Sequence, residues 1–208
     1  YGPLHYFAPN ERWGGVQGFK RLVNACHNAG VAVILDVVYH HVDRTFPYCL
    51  VYENVGIESP MINGNGPFGP EIDFGKELAR EYVRKVNFHW LNEYHVDGFR
   101  YDEVTDLYNG PTGIKYARIA FDTYNESLKL SRFTPSGGVF AGEYSRIIQC
   151  PEALGLSQEI LRSTYSNGTW QDDLLHKAES LVKGNTVDDQ FVELLVLDKS
   201  FVGYPDTK

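Results

Sequence analysis

From Gln17 to Ala29 the apolar residues fall at Phe19, Leu22, Val23 and Cys26. This i, i+3, i+4, i+7 spacing predicts an amphipathic helix, and Gly30 stops it. Val31–Val38 follows as an apolar run broken only by Asp36, the pattern of a strand buried on both faces of a parallel sheet. A carboxylate inside such a run is costly without partners, so Asp36 needs an explanation. Ala79, Val83, Val86 and Trp90, flanked by Tyr82 and Leu91, predict a second helix with Trp90 in the core. The stretch Gly98–Val104 reads as a buried strand running into a loop, and a third helix is expected from Ile114 to about Leu130. Gly137–Glu143 reads as a short buried strand ending on a carboxylate. Helices are expected near 151–161 and 171–184, a fourth strand near Leu161–Tyr165 and a weaker apolar segment at 190–198. Residues 42–74 show no period and carry the turn-rich Asn63-Gly64-Asn65-Gly66-Pro67 and Gly69-Pro70. A structureless stretch of that length in a compact domain is usually functional or mobile.

Helices alternating with apolar strands imply βαβ units and a parallel sheet. In that arrangement Asp36, Asp102 and Glu143 each stand at the C-terminal end of a strand. Ligand and catalytic groups of parallel α/β folds collect at that face. With 43% hydrophobic residues over 208 positions, the chain can build one domain with a sizeable core. The 14% of aromatic residues suits stacking on a flat ligand as well as core packing. A net charge of −8 argues against a nucleic-acid partner. No apolar run reaches membrane-spanning length and no signal peptide opens the chain, although without an initiator Met a leader could precede it. Cys26, Cys49 and Cys150 form neither a metal pattern nor a disulfide framework, so reduced thiols and a cytoplasmic location are expected.

Arg100 and Asp102 are two apart on one strand and would project to the same side. A guanidinium beside a carboxylate favours the ionised form, and an ionised, oriented Asp is what nucleophilic attack needs. Taken alone, the pair could equally serve only to tie strand to loop.

Three ordered motifs carry a resemblance: Asp36-Val37-Val38-Tyr39-His40-His41, Gly98-Phe99-Arg100-Tyr101-Asp102 and Gly142-Glu143. Over about residues 1–184 the chain resembles the α-amylase superfamily of glycoside hydrolases and transglycosylases, which are (β/α)8 barrels. The flanking Tyr6-Phe7-Ala8-Pro9, Tyr94–Gly98 and Trp170–Asp173 look most like the branch holding branching enzymes and maltooligosyltrehalose trehalohydrolases. The resemblance implies that residues 1–208 are an internal, incomplete part of such a barrel, with a short loop insertion at about 42–74. It implies Asp102 as nucleophile, Glu143 as general acid/base and Arg100 as the residue steadying Asp102. His41 would hydrogen-bond the sugar at the point of cleavage, or be a satisfied loop histidine. Asp36 would orient its neighbours and Tyr1 would stack on that sugar. Trp170 and Trp13, beside loops, are further stacking candidates, and Asp172-Asp173 would cap the following helix. The implied substrate is an α-1,4-glucan, with branching-enzyme-like transfer ahead of trehalohydrolase or α-amylase-type hydrolysis.

No cofactor is implied. His40 stands where many members carry a calcium-ligating Asn, and imidazole suits a hard cation poorly, so no metal is expected. A metal-dependent enzyme built on Asp36, His40 and His41 leaves Arg100 beside Asp102 unexplained. A catalytically silent, carbohydrate-binding barrel is the alternative of another class. The family's third carboxylate, at the seventh strand, has no counterpart before Lys208. The chain alone is therefore expected to lack full activity, with the rest of the barrel and accessory domains as its partners.

Overall fold

A computed structural model of the protein describes residues 2–136, 142, 144–170, 172–184, 186, 189 and 191–192. In chain order the elements begin with helix α1 (Gly15–Asn28), strand β1 (Ile34–Val38) and helix α2 (Pro47–Asn54). The hairpin strands β2 (Ile62–Gly66) and β3 (Gly69–Ile72), helix α3 (Glu77–Glu93) and strand β4 (Gly98–Asp102) follow. The last are helices α4 (Val104–Leu107) and α5 (Tyr116–Ser127), strand β5 (Ile148–Pro151), and helices α6 (Ser157–Ser163) and α7 (Asp172–Val182).

β1, β4 and β5 form one parallel sheet in that spatial order. This is an open sector of a (β/α)8 barrel, with helices packed on one face. The register sets Asp36, Arg100 and Cys150 side by side, with Val37, Tyr101 and Pro151 one step on. Side chains alternate along β4: Phe99 and Tyr101 are fully buried on the helix side, each burial contributing about 1.5–3 kcal/mol. Arg100 and Asp102 point the other way. Gly98 has no alternative at its position, because an added Cβ would lie 1.9 Å from the Ile148 carbonyl oxygen.

The helix layer is keyed to the sheet by buried polar groups that satisfy one another. The Tyr39 hydroxyl donates to Asn87 Oδ1 at 2.5 Å, and Asn87 Nδ2 donates to Thr123 Oγ1 at 2.8 Å. These bonds link the exit of β1 to α3 and α5. The Tyr101 hydroxyl donates to Gln149 Oε1 at 2.7 Å, while Gln149 Nε2 donates to the Ala120 and Tyr165 carbonyls. Phe19 of α1 meets Trp90 and Tyr94 edge-on, both at 5.6 Å. Trp90 is thus in the core, as its helical spacing predicts.

Several expectations change. β1 is not buried on both faces: Ile34 is exposed, and the Asp36 side chain is 68% exposed. Among the described residues no strand pairs with the outer edge of β1, so its inner face stays open. Residues 42–74 are not structureless, since α2 starts with Pro47 in its first turn and β2–β3 form an antiparallel hairpin. Leu161 is a buried residue of α6, and no strand follows at 161–165. Of the strand expected at Gly137–Glu143, only Gly142 is described, and 190–198 is described only at 191–192. The strand lying beside β4 is Ile148–Pro151.

Candidate functional site

The C-terminal ends of β1, β4 and β5 converge on the Arg100 guanidinium. Its Nη1 donates to Asp36 Oδ1 at 2.7 Å and to Asp102 Oδ1 at 2.5 Å. Its Nη2 lies 2.8 Å from Glu152 Oε2. The Trp170 ring covers the guanidinium, 4.3 Å from ring centroid to Cζ. Arg100 Nε is buried with no hydrogen-bond partner among the described residues. Burial pushes the Arg100 pKa down, but the bonds to Asp36 and Asp102 outweigh it and hold it above the usual arginine value. A permanent cation therefore ties three carboxylates together at neighbouring strand ends, leaving a local negative excess. Such an excess favours a transition state that gains positive charge.

The backbone helps to shape this cluster. Glu103, directly after Asp102, adopts φ +50°, a left-handed conformation uncommon outside glycine. Its N–H donates to Glu152 Oε2 at 3.1 Å, and the Val104 N–H donates to the Glu152 carbonyl at 2.8 Å. The β4 exit thus clasps the β5 exit. The outer edge of β5 is closed by the segment leading to Trp170. There Asn167 Oδ1 accepts from the Gln149 N–H, Asn167 Nδ2 donates to the Ile147 carbonyl, and the Thr169 hydroxyl donates to the Pro151 carbonyl. Cys150, on β5 beside Arg100, has its thiol pushed up by burial, against a partial lowering by Arg100. A neutral thiol of this kind is a poor nucleophile.

No family model matches the chain. A 1,4-alpha-glucan branching enzyme of Nitratidesulfovibrio vulgaris is 36% identical over 114 residues, 51% of this chain and 17% of the relative. A malto-oligosyltrehalose trehalohydrolase of Saccharolobus solfataricus is 36% identical over 107 residues, 50% of this chain and 18% of the relative. Among solved structures, a debranching enzyme from Nostoc punctiforme superposes with a TM-score of 0.65 at 21% identity, covering 84% of this chain and 38% of that one. Over about half of its length the chain is similar to these enzymes, in keeping with its resemblance to the α-amylase superfamily. It spans well under two thirds of the length of the relatives it matches.

The sequence-derived residues fare differently. Arg100, Asp102, Asp36 and Trp170 are brought together as described. His41 lies near the exit of β1, buried, with its ring 5.4 Å from that of Phe68 and its Nδ1 3.4 Å from His40 Nδ1. Tyr1 and Glu143 lie outside the described residues. The segment after Tyr1 is held over the β1 exit: Asp43 N–H donates to the Pro3 carbonyl at 3.1 Å, Tyr6 hydroxyl to the Val38 carbonyl at 2.7 Å and Trp90 Nε1 to the Tyr6 carbonyl at 2.6 Å. Trp13 is 87% exposed, at the end of a short 3-10 turn (Glu11–Trp13) and outside the Arg100 cluster's contacts. Asp172 opens α7 and also accepts from the Gly155 N–H at 3.1 Å. Among the described residues no three His, Cys, Asp or Glu side chains converge as a metal site requires, and no helix is long and apolar enough to cross a membrane.

Glu152, the third carboxylate on the Arg100 guanidinium, is not singled out by the sequence reading. Its signal was present, since Ile147-Ile148-Gln149-Cys150-Pro151-Glu152 is a short run ending on a carboxylate just as Gly137–Glu143 is. Pro151 disguised it, because proline in a strand belongs at an edge or an end. Here Pro151 is the last strand residue.

Proposed function

We propose that this chain supplies the nucleophile and the proton-donating side of a retaining enzyme acting on α-1,4-glucans. The observation that carries the reading is the holding of Asp102 beside Asp36, at the ends of adjacent parallel strands, by one guanidinium. Retention needs one carboxylate to attack the anomeric carbon and a second carboxyl to protonate the departing glycosidic oxygen, the two being roughly 5–5.5 Å apart. Asp102, held by Arg100, attacks and forms a glycosyl ester. A protonated carboxyl gives its proton to the leaving oxygen, then takes one back from the incoming acceptor. Glu143, of the Gly-Glu motif, is our assignment for that carboxyl. Glu152, whose Oε2 lies 2.8 Å from Arg100 Nη2 and accepts from the Glu103 N–H, is assigned to anchoring the guanidinium. Asp36 shares the guanidinium and keeps it facing Asp102. His41 and Tyr1 are assigned to the sugar at the point of cleavage, and Trp170 to holding Arg100 in place. Residues 42–74 serve as a small inserted unit at the same end of the sheet. The rest of a barrel, completed in the whole protein, would cover the open inner face and contribute the missing third carboxylate.

Transfer to a glucan 6-hydroxyl and transfer to water use the same residues. Relatives of both kinds, a branching enzyme and a trehalohydrolase, match at 36% identity, and branching is our first reading. The test is proton NMR of a linear α-1,4-glucan incubated with the whole protein and with its Asp102→Asn variant. New α-1,6 signals without many reducing ends support branching. Reducing ends that appear first as the α-anomer support retaining hydrolysis. Turnover surviving in Asp102→Asn would remove the nucleophile assignment.

A further inference from the structure

The hairpin β2–β3 carries an exposed aromatic ring that the mechanism above does not use. Phe68, at its tip, is 60% exposed, yet it is not loosely presented. One side of its ring lies against His41 at 5.4 Å with a 30° tilt, and it meets His40 edge-on at 6.3 Å. Both imidazoles are buried. The hairpin is sewn to the β1 exit loop: Val42 N–H donates to the Pro70 carbonyl at 2.8 Å, Ile72 N–H to the His40 carbonyl at 3.2 Å, and His41 bridges to Glu71. Gly69, at φ +139°, lets the chain pass where a Cβ would stand 2.7 Å from the Val42 carbonyl oxygen. The ring is therefore fixed relative to His41, with its free side open to solvent.

A protein partner's apolar patch would match this place poorly, because the ring is rimmed by His40, His41 and the partly exposed Glu71 carboxylate, 4.0 Å from His40 Nε2. A pyranose matches better, with its C–H face on the ring and its hydroxyls on the polar rim. We propose that Phe68 is a stacking platform for the glucosyl unit adjoining the one held beside His41, so that the hairpin helps to select the glucan chain that enters. The inference rests on the α-glucan reading of the Arg100 site.

Binding of maltoheptaose to the whole protein, carrying Asp102→Asn so that the ligand is not consumed, tests it. Phe68→Ala should weaken binding about ten-fold, and Phe68→Leu, which keeps bulk but no flat face, nearly as much. Phe68→Trp should retain affinity and gain a fluorescence change on binding. In the active protein, Phe68→Ala should raise KM with little change in kcat, the mark of lost ground-state binding. Thermal melting should be unmoved, as expected for an exposed side chain. Equal affinity in the parent, Phe68→Ala and Phe68→Leu proteins would overturn the platform while leaving the glucan reading standing. No binding of maltoheptaose by the parent protein would overturn both.

Discussion

The two sides of strand β4 are built from alternate residues of one five-residue segment, and they solve opposite problems. On the helix side, Phe99 and Tyr101 are fully buried, and the Tyr101 hydroxyl is matched by Gln149. On the inner side, Arg100 gathers Asp36, Asp102 and Glu152, leaving Nε without a partner among the described residues. The outer side is saturated and apolar. The inner side concentrates charge whose desolvation offsets much of its attraction, and Arg100 keeps Asp36 and Glu152 even when Asp102 is lost. Stability and chemistry are thus separated by a single step along the chain, and substitutions on the two sides should separate them as well.

The sharpest separation is expected between Asp102→Asn and Tyr101→Ala in the whole protein. Asp102→Asn should reduce turnover on the order of 10⁴-fold or more, with a melting temperature close to that of the parent. Tyr101→Ala should lower unfolding free energy by about 3–5 kcal/mol, as large-to-small changes in a packed core do, measured by denaturant titration. If Asp102→Asn unfolded the protein, the inner cluster would be a structural element and the comparison would fail. Tyr101→Phe sharpens the outer side. It removes the donor to Gln149 Oε1, and a buried acceptor left unmatched costs about 1–3 kcal/mol.

Trp170→Ala probes how the inner side is held. Losing the ring that covers Arg100 removes a contact of about 0.5–2 kcal/mol, which corresponds to a fall in kcat of about 2- to 30-fold. Trp170→Phe should recover part of it. If Trp170 instead stacks only on substrate, KM rather than kcat will change. The smallest effect at neutral pH is the alkaline response of the outer side. Burial raises the pKa of Tyr39, Tyr101 and Tyr116, and likewise of Tyr6, above the ordinary value of 10.0. Above pH 10 the unfolded chain loses these protons while the folded chain keeps them. Stability is therefore complete below that pH and falls as pH rises through and beyond it. Tyrosinate absorbance should rise together with unfolding. Independent titration of these residues in a folded protein would contradict the packing described.

The sequence was most legible where periodicity and burial agree. The spacing of Ala79, Val83, Val86 and Trp90 predicts α3, and the two-residue step from Arg100 to Asp102 predicts their contact. It was least legible where two segments share one pattern. Gly142-Glu143 and Pro151-Glu152 both end short apolar runs, and nothing local tells which run pairs with β4, because pairing is a long-range choice. The hairpin at 62–72 was hidden because its strand residues are Asn, Gly and Pro, which carry turn chemistry rather than alternation. The exposure of Asp36 was hidden by the apolar run around it. An unbroken run predicts two covered faces, whereas coverage depends on what lies beside the strand.

The central claim, that Asp102 attacks and Glu143 protonates the departing oxygen while Glu152 anchors Arg100, is tested most directly by the leaving-group dependence of Glu143→Gln. Turnover of an α-1,4-glucan, whose departing oxygen must be protonated, would be compared with that of maltosyl fluoride, whose fluoride departs without a proton. The account predicts a loss of about 10²- to 10⁴-fold on the glucan with formation of the glycosyl ester from the fluoride close to that of the parent. Equal losses on both substrates, or the selective loss appearing in Glu152→Gln instead, would contradict it.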